Sequence, residues 1–241
     1  METKDYYDAH LGRFYSWMAG DFNARQKEFY AFLIENKLSP AASRVAYDLG
    51  AGHGIQSVGL AKVGYRVTAV DFSEQLLSEL AGNAAGLDVQ IIRDDMRSVH
   101  RNLSKYAELV VCWGDTLTHL GSIREVCDFI RDSVALLAPG GKLVLSFRDY
   151  SRVLEGPGRF IPVKSDDTRI LTCMLEYESD HVVVTDLLHE RTAMGWEQRA
   201  MSYKKTRIEP FALITTLENE GLLILHNQSM NGMVTIIASK L

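Results

Sequence analysis

Apolar residues along this chain follow two alternating rhythms. Short apolar runs at Val45–Tyr47, Tyr65–Val70, Val89–Ile92, Ala107–Cys112 and Lys142–Phe147 have the length of buried strands. Between them the apolar positions fall three or four apart. The clearest case runs from Ser122 to Ala138, with Val126, Phe129, Ile130, Val134 and Leu137 on one stripe, and predicts an amphipathic helix. The same period predicts helices over about 54–63 and from Ser73, whose hydroxyl caps the first turn with Glu74 behind it. A further helix, capped by Asp21 and closed by Pro40, runs to about Leu38 with Phe22, Phe29, Phe32 and Leu33 on one face. Strands alternating with helical crossovers of this length predict an α/β fold, a parallel sheet doubly wound on both faces.

Helical periodicity disappears between Tyr150 and Ile208. Three strand-like runs take its place at 169–177, 181–191 and 196–208, with turns at Glu178–Asp180 and Ala193–Gly195. They predict an inserted antiparallel meander, either roofing a substrate pocket or forming a dimer surface, with Lys204, Lys205 and Arg207 as a solvated face. The core pattern resumes with a helix at 209–219, ended by Gly221, and strands at 222–226 and 233–238. The expected organisation is an N-terminal helical segment (1–40), an α/β core (41–149 and 209–241) and an antiparallel insertion (150–208). Tyr6, Tyr7, Phe14, Tyr15 and Trp17 concentrate aromatic surface near the N-terminus. They either close over a ligand or pack the first helices onto the sheet.

Candidate chemistry sits where the first strand turns into the next helix, at Asp48-Leu-Gly50-Ala51-Gly52-His-Gly54. Glycines here permit a tight turn and let backbone N–H groups approach a ligand. The dinucleotide pattern G-x-G-x-x-G would need glycine at 55, where Ile55 stands, which argues against an NAD-dependent oxidoreductase. An acid two residues before the first glycine repels a pyrophosphate and suits a cation. The next strand ends in Asp71, placed to accept from both hydroxyls of a ribose. Together the two acids favour a positively charged nucleoside, and S-adenosyl-L-methionine has that character.

The chain resembles the class I S-adenosylmethionine-dependent methyltransferases at Asp48–Gly54, Val70-Asp-Phe-Ser73, Asp94-Asp-Met-Arg97, Val110–Gly114 and Leu137–Leu145, in the family's order. The resemblance implies a Rossmann-like, mostly parallel seven-stranded sheet. It also implies an adenine site in which Asp95 accepts from the amino group while Met96 and Phe72 cover the ring. The residues expected around the cofactor are Tyr15, Asp48, Gly50, Ala51, Gly52, Asp71, Phe72, Asp95, Met96, Trp113 and Gly114. Within that class, Gly114–Leu120 and Phe147–Tyr150 are similar to stretches of glycine and sarcosine N-methyltransferases. That likeness implies Arg148 as a clamp for a substrate carboxylate and His119 or Tyr150 as a proton acceptor. Asp115 stands where those enzymes carry Asn, which favours an amine over an anionic acceptor. The expected substrate is a small-molecule methyl acceptor, N- or O-methylated, bearing an amine or a carboxylate. A non-catalytic S-adenosylmethionine-binding regulator is the other reading of the same motifs.

Composition narrows the partners. A net charge of −5 gives no electrostatic reason to expect nucleic acid. The N-terminus is polar and no apolar run reaches membrane-spanning length, so a cytoplasmic monomer or homodimer without a membrane partner is expected. Cys112, Cys127 and Cys173 form no paired motif and read as reduced core thiols. The seven histidines show no ligand spacing, and no metal is expected.

Overall fold

A computed structural model describes residues 11–103 and 106–241. Tyr6 and Tyr7 lie outside the described residues. The core is a seven-stranded sheet built from β1 (Val45–Leu49), β2 (Arg66–Asp71), β3 (Val89–Arg93), β4 (Ala107–Cys112), β5 (Leu137–Arg148), β10 (Leu222–Met230) and β11 (Met233–Lys240), in spatial order β10-β11-β5-β4-β1-β2-β3. The five strands β5-β4-β1-β2-β3 run parallel, and β11 pairs antiparallel with both β5 and β10.

The central strands are mostly apolar because both of their faces are covered. On one face Val110, Cys112, Leu143, Leu145 and Phe147 pack against helix α5 (Ile123–Leu136) and helix α6 (Pro210–Asn219). On the other, Leu109, Val111 and Val144 meet Phe29 and Leu33 of α2 (Phe22–Glu35) and Leu60 of α3 (Ile55–Val63). The period of two along β4 and β5 thus feeds two cores. Each fully buried leucine contributes about 1.5–3 kcal/mol. Two expected caps are in place: Asp21 accepts from Ala24 N at 2.7 Å, and Ser73 caps α4 (Glu74–Asn83) by accepting from Leu76 N.

Several boundaries differ from the sequence reading. Helix α5 stops at Leu136 because Leu137 already pairs with Ala107 of β4. Pro139-Gly140-Gly141 is then a bulge within β5 rather than a turn before it, and a Cβ on Gly141 would lie 2.8 Å from Ala107 O. The last hairpin is longer than expected and turns at Asn231-Gly232, both with positive φ (52° and 75°), a pairing suited to a two-residue turn.

The meander forms its own four-stranded sheet, β6 (Phe160–Ser165), β7 (Arg169–Tyr177), β8 (His181–Thr192) and β9 (Gly195–Thr206), in sequence order. The sequence reading lacked β6, an edge strand containing Pro162, where a missing N–H is tolerated. Helix α1 (Tyr15–Ala19) and the turn before it pack on this sheet. Leu11 and Phe14 are buried with Leu171 and Leu188, and Trp17 Nε1 donates to Asp166 at 2.5 Å. Lys205 is withdrawn from solvent and Arg207 is half-buried. Lys205 is 6% exposed and ion-paired to Asp115, while the Arg207 guanidinium donates to the carbonyls of Tyr150, Ser151 and Glu178. All three cysteines are free thiols.

Candidate active site

At the carboxyl ends of β1 and β2 the glycine turn folds over Asp71. Gly50 N and Ala51 N both donate to Val70 O at 2.9 Å, tying the turn to β2. Asp71 then accepts from Gly52 N (2.8 Å) on one oxygen and from Ser73 N (2.9 Å) on the other. Burial raises its pKa while those N–H groups oppose the rise. The Phe72 backbone N–H is a third donor to this carboxylate, which leaves part of its acceptor capacity for a further donor. The Tyr15 hydroxyl stands over the turn, 3.6 Å from where a Cβ on Gly52 would lie.

These groups open into a cavity of about 810 Å³, a size suited to a small-molecule site. One half is walled by Tyr15, Gly50, Gly52, Asp71, Phe72, Asp95 and Met96. Of the residues expected around a cofactor, those seven line the cavity. Asp48, Ala51, Trp113 and Gly114 do not line it. Asp48 is 1% exposed beneath the turn, where its carboxylate accepts from Ser57 Oγ at 2.5 Å. Burial pushes its pKa up to about 7; the Ser57 hydrogen bond opposes this and the nearby Asp71 adds to it. Ala51 is buried against Val58 and Leu80, and the Trp113 ring packs on Phe29 and Phe32 at 5.0 and 4.8 Å. Asp95 reaches the cavity with its carboxylate held by Arg97, through Nε at 2.9 Å and Nη2 at 2.6 Å.

The other half is walled by Thr116, His119, Leu120, Gly121, His181, Tyr203 and Lys204. Behind it lies a polar knot centred on Asp115. One carboxylate oxygen accepts from Arg148 N and Thr118 Oγ1, both at 2.9 Å. The other accepts from Tyr150 Oη at 2.9 Å and from Lys205 Nζ, which crosses from the meander. Burial alone would raise the Asp115 pKa, but Lys205 and the donated hydrogen bonds hold it below the usual carboxylate range. Asp115 is therefore a neutralised partner of Lys205, not the cation-seeking wall that its sequence position suggested.

The three expected catalytic residues separate. His119 faces the cavity, stacked on Tyr203 with ring centroids 5.7 Å apart. Tyr150 is 4% exposed and its hydroxyl is spent on Asp115. Arg148 is exposed at the end of β5 and does not line the cavity; its backbone N–H, rather than its guanidinium, joins the knot. The sequence reading missed Ser57, Tyr203 and Lys205. Strand alternation was the available signal for the last two, since it puts Met201, Tyr203 and Lys205 on one face of β9 and Ser202 and Lys204 on the other.

Residues 46–141 match the family described as Methyltransferase domain. The glycine/sarcosine N-methyltransferase of Parasynechococcus marenigrum is 32% identical over 139 residues, 56% of this chain and 49% of that protein. The glycine N-methyltransferase of Oryctolagus cuniculus is 24% identical over 243 residues, 90% of this chain and 82% of that one. The chain spans about half the length of the glycine/sarcosine N-methyltransferases it matches. An amino pentose methyltransferase from Micromonospora echinaspora, solved with S-adenosylmethionine bound, superposes with a TM-score of 0.77 at 16% identity, over 96% of this chain and 97% of that one. The shared fold is that of the S-adenosylmethionine-dependent methyltransferases.

Proposed function

We propose that this chain, built on a class I methyltransferase domain, uses S-adenosylmethionine to methylate a small molecule at an amine nitrogen. The observation that carries the reading is Asp71. Its carboxylate lies at the carboxyl end of β2, beside a glycine turn, on a cavity that continues to His119 and Tyr203. Backbone N–H groups of Gly52, Phe72 and Ser73 already fix the carboxylate's orientation, and its remaining acceptor capacity suits a ribose hydroxyl. Phe72 and Met96 offer apolar cover for a base, and the cavity is of the right order for a nucleoside with a short cationic tail. The residues present fit that group.

When bound, S-adenosylmethionine supplies a methyl carbon activated by a sulfonium. The protein's task is then alignment and exclusion of water. Asp71, Phe72 and Met96 fix the nucleoside end, Tyr15 covers the turn, and Asp48 places a titratable carboxylate beneath it. His119 and Tyr203 wall the side from which an acceptor enters; burial lowers the His119 pKa to about 3, so the imidazole is neutral and suits an amine that enters already unprotonated. The glycine N-methyltransferases carry a nitrogen acceptor in their name, which supports an amine here.

Asp71→Ala is expected to weaken S-adenosylmethionine binding by about 1.5–3 kcal/mol, the loss for hydrogen bonds to a charged group. Calorimetry on the folded variant measures it, and unchanged affinity removes Asp71 from the nucleoside site. Release of S-adenosylhomocysteine across a panel of amines, amino acids, phenols and carboxylates then identifies the acceptor. A panel in which only phenols turn over overturns the nitrogen assignment.

A further inference from the structure

Among the described residues four strands end a sheet, and three of them are blunted. β6 contains Pro162 and slips register between Pro162 and Lys164, β10 slips between Ile224 and His226, and β3 is five residues long. Proline, a bulge or shortness keeps an edge strand from pairing with another chain. β9 has none of these. It runs twelve residues from Gly195 to Thr206, contains no proline, and pairs with β8 without a register shift. Its second half docks on the core through Lys205 and through Thr206, whose hydroxyl donates to Leu120 O. The first half stands clear. Gly195 to Ala200 are all exposed, Trp196 by 50%, and Met194 at the tip of the hairpin is 96% exposed.

The charges on this open edge fit one partner. Glu197 stands directly across from Glu190 of β8, acid against acid, and among the described residues no cation pairs with it. Arg199, two residues on and half exposed, makes one long ion pair, 3.7 Å to Glu190, and that acid is already held by Arg169 at 3.2 Å. We propose that β9 pairs antiparallel with β9 of a second copy of this chain, joining two meanders into one eight-stranded sheet about a two-fold axis at Gln198. Opposed residues in such a pair share a face, so the axis must pass through a residue. At Gln198 it sets Glu197 against Arg199 of the partner subunit, and symmetry repeats that pair on the other side. It also sets Trp196 against Ala200 of the partner subunit, large against small. One residue back, at Glu197, the axis would oppose two acids; one residue on, at Arg199, it would oppose two guanidinium groups. Like charges directly opposite destabilise a sheet, so charge fixes the register. The contact is isologous and closes at two chains, because each copy spends its open edge on the other. The pairing is independent of which ligand the cavity takes.

The full chain, followed by sedimentation velocity from about 1 to 100 μM, should pass from monomer to dimer. Arg199→Glu opposes acids at both symmetric positions and should weaken the dimer at least about tenfold. Adding Glu197→Arg to it restores opposite charges in reversed order and should return the dimer to near its original strength. Circular dichroism shows that each variant is folded. Gln198→Cys puts a thiol on the axis in each copy and should give an interchain disulfide under mild oxidation, beyond any seen in the wild type. Ser202→Cys, whose two copies would lie about 27 Å apart at 3.4 Å per residue, should not. If Arg199→Glu does not fold, the two cysteine variants decide alone. A chain that stays monomeric throughout overturns the proposal. So does a dimer indifferent to Arg199→Glu, a folded charge-swapped variant that fails to recover, or cross-linking as ready through Ser202→Cys as through Gln198→Cys.

Discussion

Asp48→Asn is expected to flatten the dependence of stability on pH and to make the ligand-free protein more stable than the wild type at pH 8. Asp48 is buried beneath the glycine turn with Ser57 as its hydrogen-bond donor, and its pKa is pushed up from 3.8 to about 7. A carboxyl group raised on folding binds a proton in the native state that the unfolded chain has released. Its favourable contribution is complete below about pH 4 and is lost as pH rises through about 7. The span corresponds to as much as about 4 kcal/mol, at roughly 1.4 kcal/mol per pH unit. Asparagine is neutral throughout and keeps an oxygen for the Ser57 hydroxyl. Asp71, also raised by burial, changes stability in the same sense and survives in the variant, so some slope remains. Asp115, held low by Lys205, acts only under acid conditions and with the opposite sign. Urea unfolding of both proteins at pH 5 and pH 8 measures the difference. Parallel losses of stability in the two would show that Asp48 is ionised at both pH values. Under the proposed function a cationic ligand should also stabilise the wild type at pH 8 more than the variant, because only the carboxylate gains by its charge.

The α/β core could be read from sequence because each of its central strands is buried on both faces. Runs such as Ala107–Cys112 leave little else for the chain to do, and the stripe on α5 admits a single buried side. Asp71 was legible for a related reason: a polar residue ending an apolar strand has one place to go. Asp115, Arg148 and Lys205 were harder because their partners are distant. Lys205 lies in a Lys-Lys-Thr-Arg segment whose local character is that of a solvated edge, and its anion is 90 residues away in sequence. Only the period of two along β9, together with a meander that docks on the core, turns its side chain inward. Asp48 shows the same limit. The sequence places it at the turn, while the fold tucks its carboxylate onto Ser57, in the first turn of the next helix. Strand β6 escaped because Pro162 breaks the local strand pattern, and an edge strand tolerates what a central one does not.

Gly50→Ala should be among the most damaging single changes on the turn, for two reasons that can be separated. Gly50 has φ of +79°, a conformation costing a residue with a Cβ roughly 1–2 kcal/mol. The added Cβ would also lie 2.3 Å from Thr116 Cγ2, with Thr116 Oγ1 and Cβ at 3.2 and 3.3 Å. Thr116 has little room to retreat, since its hydroxyl donates to Trp113 O at 3.0 Å. Relieving the overlap means moving the β4 loop that carries Asp115 and His119, with a further cost of about 1–3 kcal/mol. The variant should therefore lose about 2–5 kcal/mol of stability. Its affinity for S-adenosylmethionine should fall as well, because Gly50 and Thr116 both line the cavity. Thr116→Ser keeps the hydroxyl and deletes the methyl that makes the closest contact. Added to Gly50→Ala, it should recover the steric part of the loss and leave the backbone part in place. Denaturant unfolding of the wild type, both single variants and the double closes the cycle. Purely additive effects of the two changes would mean that the turn and the β4 loop are not in contact at this point.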